Sequence, residues 1–246
     1  MLSRNDIKFI KSLQNKKYRK TYSAFTVEGE KNVLELIAAS WPIERLLVSQ
    51  TFADQYRQEL AQLERAAEII EEDQLSDLGY LETNRSALAV VSMNQFNAQE
   101  IDLSSSLIVL CNVQDPGNLG TIIRTADWFG ISQIVCSPVT VEWFNPKVIQ
   151  ATMGAFTRVK MFYQELEPFL KQVNMPILAA DLKGENIYTH AFQEPSVLLM
   201  GSESHGIPEE LSNLITNRLT IPAFGASESL NVGIATGIFC FALRKP

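Results

Sequence analysis

Apolar positions change character near the middle of this 246-residue chain. In the first part, short apolar runs alternate with amphipathic ones. Ile7, Phe9, Ile10 and Leu13 fall on one side of a helix predicted over residues 3–14. A basic, polar stretch follows at 15–21. Residues 25–28 read as a strand, and 30–39 as a helix with Val33, Leu34, Leu36 and Ile37 facing inward. A strand at 45–49, a helix at 53–66, a strand at 67–70, a short helix at 73–79 with Gly79 as its C-cap, and a strand at 87–93 complete the region. Such alternation predicts a small α/β/α sandwich.

The second part opens at 107–111 with a continuous apolar run, as expected for a parallel strand buried on both faces. A turn, Asp115-Pro116-Gly117-Asn118, leads into a helix over 121–129 closed by Gly130. Further strands are expected at 133–136, 176–180, 196–200 and 218–221. Helices are expected at 146–153, 165–172, 208–214 and 232–243. The fold class is therefore α/β, with a doubly wound parallel sheet whose ligands sit at the carboxyl ends of its strands. The expected division is residues 1–95, a linker at 96–106, and residues 107–246.

Composition narrows the function. Hydrophobic residues make up 46% of the chain and charged residues 20%, which suits a folded protein with a filled core. The net charge of −7 argues against a general affinity for nucleic acid. Its distribution argues the other way, because Arg4, Lys8, Lys11, Lys16, Lys17, Arg19 and Lys20 crowd the first twenty residues with Asp6 as the only acid. Screening confines a field to about 10 Å, so a local basic patch can bind RNA on an acidic protein. Cys111, Cys136 and Cys240 are widely spaced in apolar runs and read as reduced core thiols, while His190 and His205 are too few for a His-based metal site. No apolar stretch is long enough to span a membrane and no signal peptide is visible, so a cytoplasmic protein is expected.

Three strand ends carry candidate chemistry. After the first apolar run, Asn118, Gly120 and Arg124 stand at or near a helix start that could bind an anion; an ordinary turn with a salt-bridged arginine fits equally well. At 200–208, Gly201 lets a ligand approach the backbone, Glu203 offers a carboxylate, and His205 reads as a surface residue. At 219–233, Ser229 and Asn231 offer a hydroxyl and an amide, or simply cap the last helix. No dinucleotide fingerprint or phosphate loop is present.

In this order, NVQDPGNLGTIIRTADWFG, VLLMGSESHGIP and LTIPAFGASESLNVGIATGIF resemble the three motifs of the SpoU family of RNA ribose methyltransferases, within the SPOUT class. The N-terminal KKYRKTYSAFTVEGEKNVLEL resembles the L30e-like substrate-binding domain often attached to that family. The resemblance implies S-adenosylmethionine-dependent 2′-O-methylation of structured RNA, with ribosomal RNA preferred over transfer RNA. It also implies a C-terminal trefoil knot and a homodimer with no metal. Arg124, Asn118, Glu203, Ser229 and Asn231 match the catalytic positions. Gly201, Ile221, Leu230, Met200 and Pro222 match the cofactor pocket. Lys16, Lys17, Arg19 and Lys20 are expected on the RNA backbone. Ser204, where the family commonly has Gly, and Glu228 depart from the pattern. A non-catalytic RNA-binding or ribosome-assembly factor and a small-molecule α/β enzyme are the competing readings. The intact motif residues oppose the first, and the basic N-terminus opposes the second.

Overall fold

The computed structural model describes residues 2–93, 96–202 and 205–244. The chain forms two compact units: Met1–Asn94 with Phe144–Thr157, and Gln95–Trp143 with Arg158–Pro246.

In the first unit, α1 (Arg4–Ser12) starts on a capping box. The Ser3 hydroxyl accepts from the Asp6 amide, and the Asp6 carboxylate accepts from the Ser3 amide. The basic stretch is itself a helix, α2 (Lys16–Tyr22), capped by Asn15. It buries only Arg19 and so carries no apolar period for a sequence reading to find. β1 (Ala24–Glu28), α3 (Glu30–Ala38) and β2 (Ile43–Val48) follow. The helix expected at 53–66 is instead two short ones, α4 (Gln50–Gln55) and α5 (Arg57–Leu60), broken at Tyr56, whose φ of −114° and ψ of 38° leave the helical region. β3 (Glu68–Ile69), α6 (Glu72–Leu78) and β4 (Ala87–Ser92) complete the run. The sheet order is β1-β4-β2-β3, with β4 antiparallel to both β1 and β2 and β3 parallel to β2. Ile10, Leu13, Leu47, Leu75, Leu88 and Val90 pack on one face.

Gly79 does cap α6, but in an extended conformation. Its lack of a side chain is needed for another reason: a Cβ there would collide with the Glu28 carboxylate. That buried carboxylate accepts the amides of Tyr80 (2.8 Å) and Leu81 (3.0 Å).

The second unit runs β5 (Leu107–Leu110), α7 (Pro116–Trp128) and β6 (Gln133–Cys136). The chain then passes through α8 (Pro146–Thr152) into β7 (Lys160–Tyr163), α9 (Leu166–Leu170), β8 (Ile177–Asn186), β9 (Val197–Met200), β10 (Asn217–Thr220) and α10 (Val232–Leu243). Six parallel strands lie in the order β10-β8-β9-β5-β6-β7. β5, β6 and β9 are buried along their whole length; β5 and β9 are unbroken apolar runs, while β6 also buries the polar Gln133. β7 went unseen in the sequence, since charged Lys160 opens it and only Met161 and Phe162 are fully buried. The segment at 209–214 is a 3-10 helix, not the expected α-helix.

Residues 144–157, which a linear division leaves with the C-terminal part, belong to the first unit. There the Phe144 ring meets Phe25 at a tilt of 54° (5.0 Å between centroids), Trp41 meets Phe156 (5.7 Å), and Asn32 Nδ2 donates to Gln150 Oε1 (3.1 Å). All three cysteines are free and buried, and burial pushes the Cys111 and Cys240 thiols up to about 12. No described helix is long and apolar enough to cross a membrane.

Candidate active site at the strand ends

β5 is followed to one side by β6 and β7, and flanked on the other by β9, so strand order reverses beside it. A crevice at the carboxyl ends is expected at such a switch point. Asn112, in the left-handed region at φ 57°, ends β5. Its amide donates to Ser137 Oγ, which donates in turn to Asn112 Oδ1, both at 2.9 Å, and this ties the β5 end to the β6 end.

The Asp115-Pro116-Gly117-Asn118 segment is not a separate turn but the start of α7. Pro116 stands at the first helical position and the Asp115 carboxylate accepts the Asn118 amide at 2.8 Å. The expected anion site is thereby corrected. Gly120 is buried inside the helix, and the Asp115 carboxylate already holds an amide an anion would use.

Asn118 Oδ1 accepts from Asn231 Nδ2 at 2.8 Å, joining the first and third motifs directly. Asn231 Oδ1 accepts from the amides of Gly233 (2.9 Å) and Ile234 (3.3 Å), so one side chain caps α10 and fixes it to α7. The two helices approach closely because a Cβ on Gly233 would stand 3.2 Å from the Thr121 methyl carbon. At the far end, Arg244 Nε donates to the Phe129 carbonyl (3.0 Å), using a carbonyl the end of α7 leaves open. Asp115, Thr121, Gly233 and Arg244 were missed in the sequence. The spacing of Gly233 and Gly237, four residues apart opposite Thr121 and Thr125, was the available signal.

Arg124 lies on α7 between Thr121 and Thr125, exposed, with no hydrogen-bond partner for its guanidinium among the described residues. Ser229 and Leu230 are exposed just ahead of Asn231. Ile221 and Pro222 are half-buried at the end of β10. Gly201 follows β9, but what it admits is its own loop: a Cβ would stand 2.6 Å from the Gly206 carbonyl oxygen, where Ser202 and Gly206 bridge. The Met200 side chain is buried in the sheet opposite Leu110, so it offers a ligand only its backbone. Glu203, like Ser204, lies outside the described residues. His205 is exposed.

Of the four basic residues expected on RNA, Lys16, Lys17 and Lys20 are exposed. Arg19 is a correction. It is 2% exposed, and its Nη1 donates at 2.8 Å to the carbonyls of both Leu13 and Gln14, closing the end of α1. Two cavities lie away from the carboxyl ends of the second unit's strands. One, of about 400 Å³, is lined by Gly29, Phe52 and Arg85. The other, of about 500 Å³, is lined by Leu170, Pro176 and Thr216. Among the described residues no group of three or more His, Cys, Asp or Glu could hold a metal ion.

A parallel sheet with its polar and cationic side chains gathered on loops and helix starts at one end defines a ligand-binding α/β protein of the strand-end type. The SpoU rRNA methylase family model matches residues 105–241, and the MRM3-like substrate binding domain matches residues 4–91. The chain belongs to the SpoU rRNA methylase family. It is 29% identical over 97% of its length to 95% of the 23S rRNA (guanosine(2553)-2′-O)-methyltransferase RlmP of Bacillus subtilis. Among solved structures it is similar to a proposed RNA methyltransferase of the TrmH family from Porphyromonas gingivalis (36% identity, TM-score 0.84, 99% of this chain and 98% of that one). It is also similar to an rRNA methyltransferase of Sinorhizobium meliloti with bound S-adenosylmethionine (29% identity, TM-score 0.88, 99% and 96%).

The residues present fit that cofactor. Ile221, Pro222 and the 44%-exposed Leu230 put apolar side chains at the two ends of the loop between β10 and α10, with the backbone groups of Gly225, Ala226 and Ser227 between them in the chain. A flat adenine with a polar edge needs such surroundings.

Proposed function

We propose that this chain transfers the methyl group of S-adenosylmethionine to a ribose 2′-hydroxyl of structured RNA, with ribosomal RNA as the preferred substrate. The hydrogen bond between Asn118 and Asn231 carries the reading, because it joins two motif segments 113 residues apart on the helix that bears Arg124. The name of the B. subtilis relative supports ribosomal RNA.

The cofactor, when bound, supplies an electrophilic methyl group on a sulfonium. The protein's work is to position and desolvate. Arg124, exposed and unpaired among the described residues, clamps the phosphate beside the target ribose. The fixed fork of guanidinium donors suits two phosphate oxygens and makes it a clamp, not a proton acceptor. With the ribose held, the 2′-hydroxyl is presented for methylation, and a phosphate oxygen or water takes its proton. Asn118 and Asn231 keep α7 and α10 in register. Ser229 and Glu203 complete the reacting side. Ile221, Pro222 and Leu230 would hold the cofactor with side chains, and Gly201 and Met200 with backbone. Lys16, Lys17 and Lys20 hold RNA phosphates.

We also read the protein as a homodimer with a trefoil-knotted C-terminal domain. Apolar Ile234 and Phe241 on α10 and Trp128 on α7 are 57%, 63% and 84% exposed, and a helix apolar all round calls for cover on both sides. β10 lies beyond β8 at the sheet edge while α10 packs on α7, so the connection between them must cross the strand ends, as a knot requires.

The test is methyl transfer from labelled S-adenosylmethionine into total RNA of a strain lacking the gene, followed by mapping of ribose methylation. One labelled site is expected, with incorporation lowered at least about 100-fold by Arg124→Ala and nearly as far by Arg124→Lys, which keeps the charge and loses the fork. Near-normal activity of Arg124→Lys refutes the two-point clamp. No incorporation by the wild type into RNA of any assembly stage refutes the enzyme.

A further inference from the structure

α2 spends its single buried side chain, Arg19, on closing α1. Its aromatic residues stand outside the buried core: Tyr18 is 39% exposed and Tyr22 49%. They stand one helical turn apart with nearly parallel rings, 6.2 Å between centroids and 16° between planes. The arrangement is held from two sides. The Phe9 ring meets Tyr22 edge-on at 5.0 Å, and Lys17 Nζ lies 5.9 Å from the centre of the Tyr18 ring. Lys16, Lys17 and Lys20 occupy the same seven-residue helix, and Arg4, Lys8 and Lys11 share one face of α1 at i, i+4 and i+7. Acidic side chains are absent from α2, and Asp6 is the only one on α1.

Oriented aromatic faces ringed by cations have little to offer a protein interior and much to offer a nucleic acid. A duplex presents phosphates but hides its base faces. An unpaired nucleotide presents both, and every base has a face to stack. We infer that Tyr18 and Tyr22 form a stacking platform for unpaired bases of the RNA, with Lys16, Lys17 and Lys20 on the flanking phosphates. The inference rests on the RNA-methylating reading and deepens it: the substrate is a loop, bulge or strand end, and α2 recognises its splayed bases.

The experiment measures fluorescence anisotropy of the full chain with a twelve-nucleotide single-stranded oligoadenylate and with a blunt twelve-base-pair RNA duplex, each across a salt series. The wild type should bind the strand more tightly than the duplex. Tyr18→Ala combined with Tyr22→Ala should weaken strand binding about tenfold or more, leave duplex binding unchanged, and leave the salt slope unchanged because no charge is lost. Tyr18→Phe with Tyr22→Phe should bind like the wild type, since the ring face and not the hydroxyl is used. Tyr22 supports Phe9, so Tyr18→Ala alone, away from that contact, keeps the test valid if the double variant unfolds; a severalfold loss on the strand is expected.

Unchanged strand affinity in Tyr18→Ala, equal losses on strand and duplex, or a wild type that prefers the duplex overturns the platform. Methyl transfer measured in parallel separates the two readings. Activity with no effect of the tyrosines on strand binding sinks the platform alone, while tyrosine-dependent strand binding by a protein without transferase activity sinks only the enzyme.

Discussion

The two units spend charge differently. Among the described residues, the only fully buried charged side chains are Arg19 and Glu28, and both lie in the first unit, where they complete the architecture. Arg19 closes α1 and Glu28 anchors the turn at 79–81. In the second unit the described charged residues stay at or near the surface, and the buried polar ones are neutral: Ser106, Gln133, Ser137, Thr140, Ser196 and Thr236. A sheet buried on both faces has no room for a charge that is not paired and hydrogen-bonded, so its cations are left at the strand ends and helix surfaces, where a substrate can reach them. A charged residue of the first unit is therefore poor evidence of function until its burial is known, and one of the second unit is better evidence.

The largest effect that tests this contrast is at Arg19. Replacement by Met keeps much of the side-chain volume but leaves the Leu13 and Gln14 carbonyls without their donor. Arg19→Met should lower folding stability by about 3 kcal/mol in urea unfolding. The salt slope of RNA binding should not change, whereas Lys17→Ala and Lys20→Ala should each flatten it by nearly one unit. A flattened slope in a normally stable Arg19→Met would return this residue to the RNA interface.

Glu28 gives a smaller effect with a pH signature. Burial raises its carboxyl above the usual carboxylate range, and the two amide hydrogen bonds only partly offset this. A carboxyl raised in the folded state binds more protons folded than unfolded. Its stabilising contribution is complete below the unfolded value of about 4.5 and is lost as pH rises through the folded one. Glu28→Gln replaces one accepting oxygen by an amide group facing a buried N–H, and should cost about 2 kcal/mol at pH 7. The variant cannot gain from protonation, so its deficit against the wild type should widen as pH falls from 7 toward 5. A constant deficit would mean that the carboxyl titrates alike folded and unfolded.

The second unit was the more legible in sequence, for physical reasons. Strands buried on both faces favour unbroken apolar runs, and β5 and β9 show them, while strand-end loops collect the polar motif residues in three separable clusters. What stayed hidden depends on partners distant in sequence. α2 has no apolar period because its anchor is an arginine. β7 opens on an exposed lysine. Residues 144–157 read as part of one domain and pack in the other unit through Phe25, Asn32 and Trp41. The Asn118 to Asn231 bond spans 113 residues, and local reading left Asn118 open between an ordinary turn and an anion site, and Asn231 between capping a helix and doing chemistry. Asn231 does both structural jobs at once, which no local pattern announces.

That double role offers the finest test of the contrast, because here a neutral residue of the second unit serves structure and site together. Its carbonyl oxygen caps α10 and its amide nitrogen reaches Asn118. Asn231→Ala removes both, and should cost about 1 kcal/mol of stability along with activity. Asn231→Asp keeps an accepting oxygen for the Gly233 and Ile234 amides, and its negative charge is favourable at a helix start, so thermal stability should hold within a degree or two. The donor to Asn118 is gone and two oxygens now face each other, so the register of α7 against α10 is disturbed just where Arg124 must be aimed. Methyl transfer should then fall about tenfold in kcat with cofactor binding changed much less. If Asn231→Asp transfers methyl groups as the wild type does, the residue is a cap and nothing more, and the link between the first and third motifs is a by-product of helix packing.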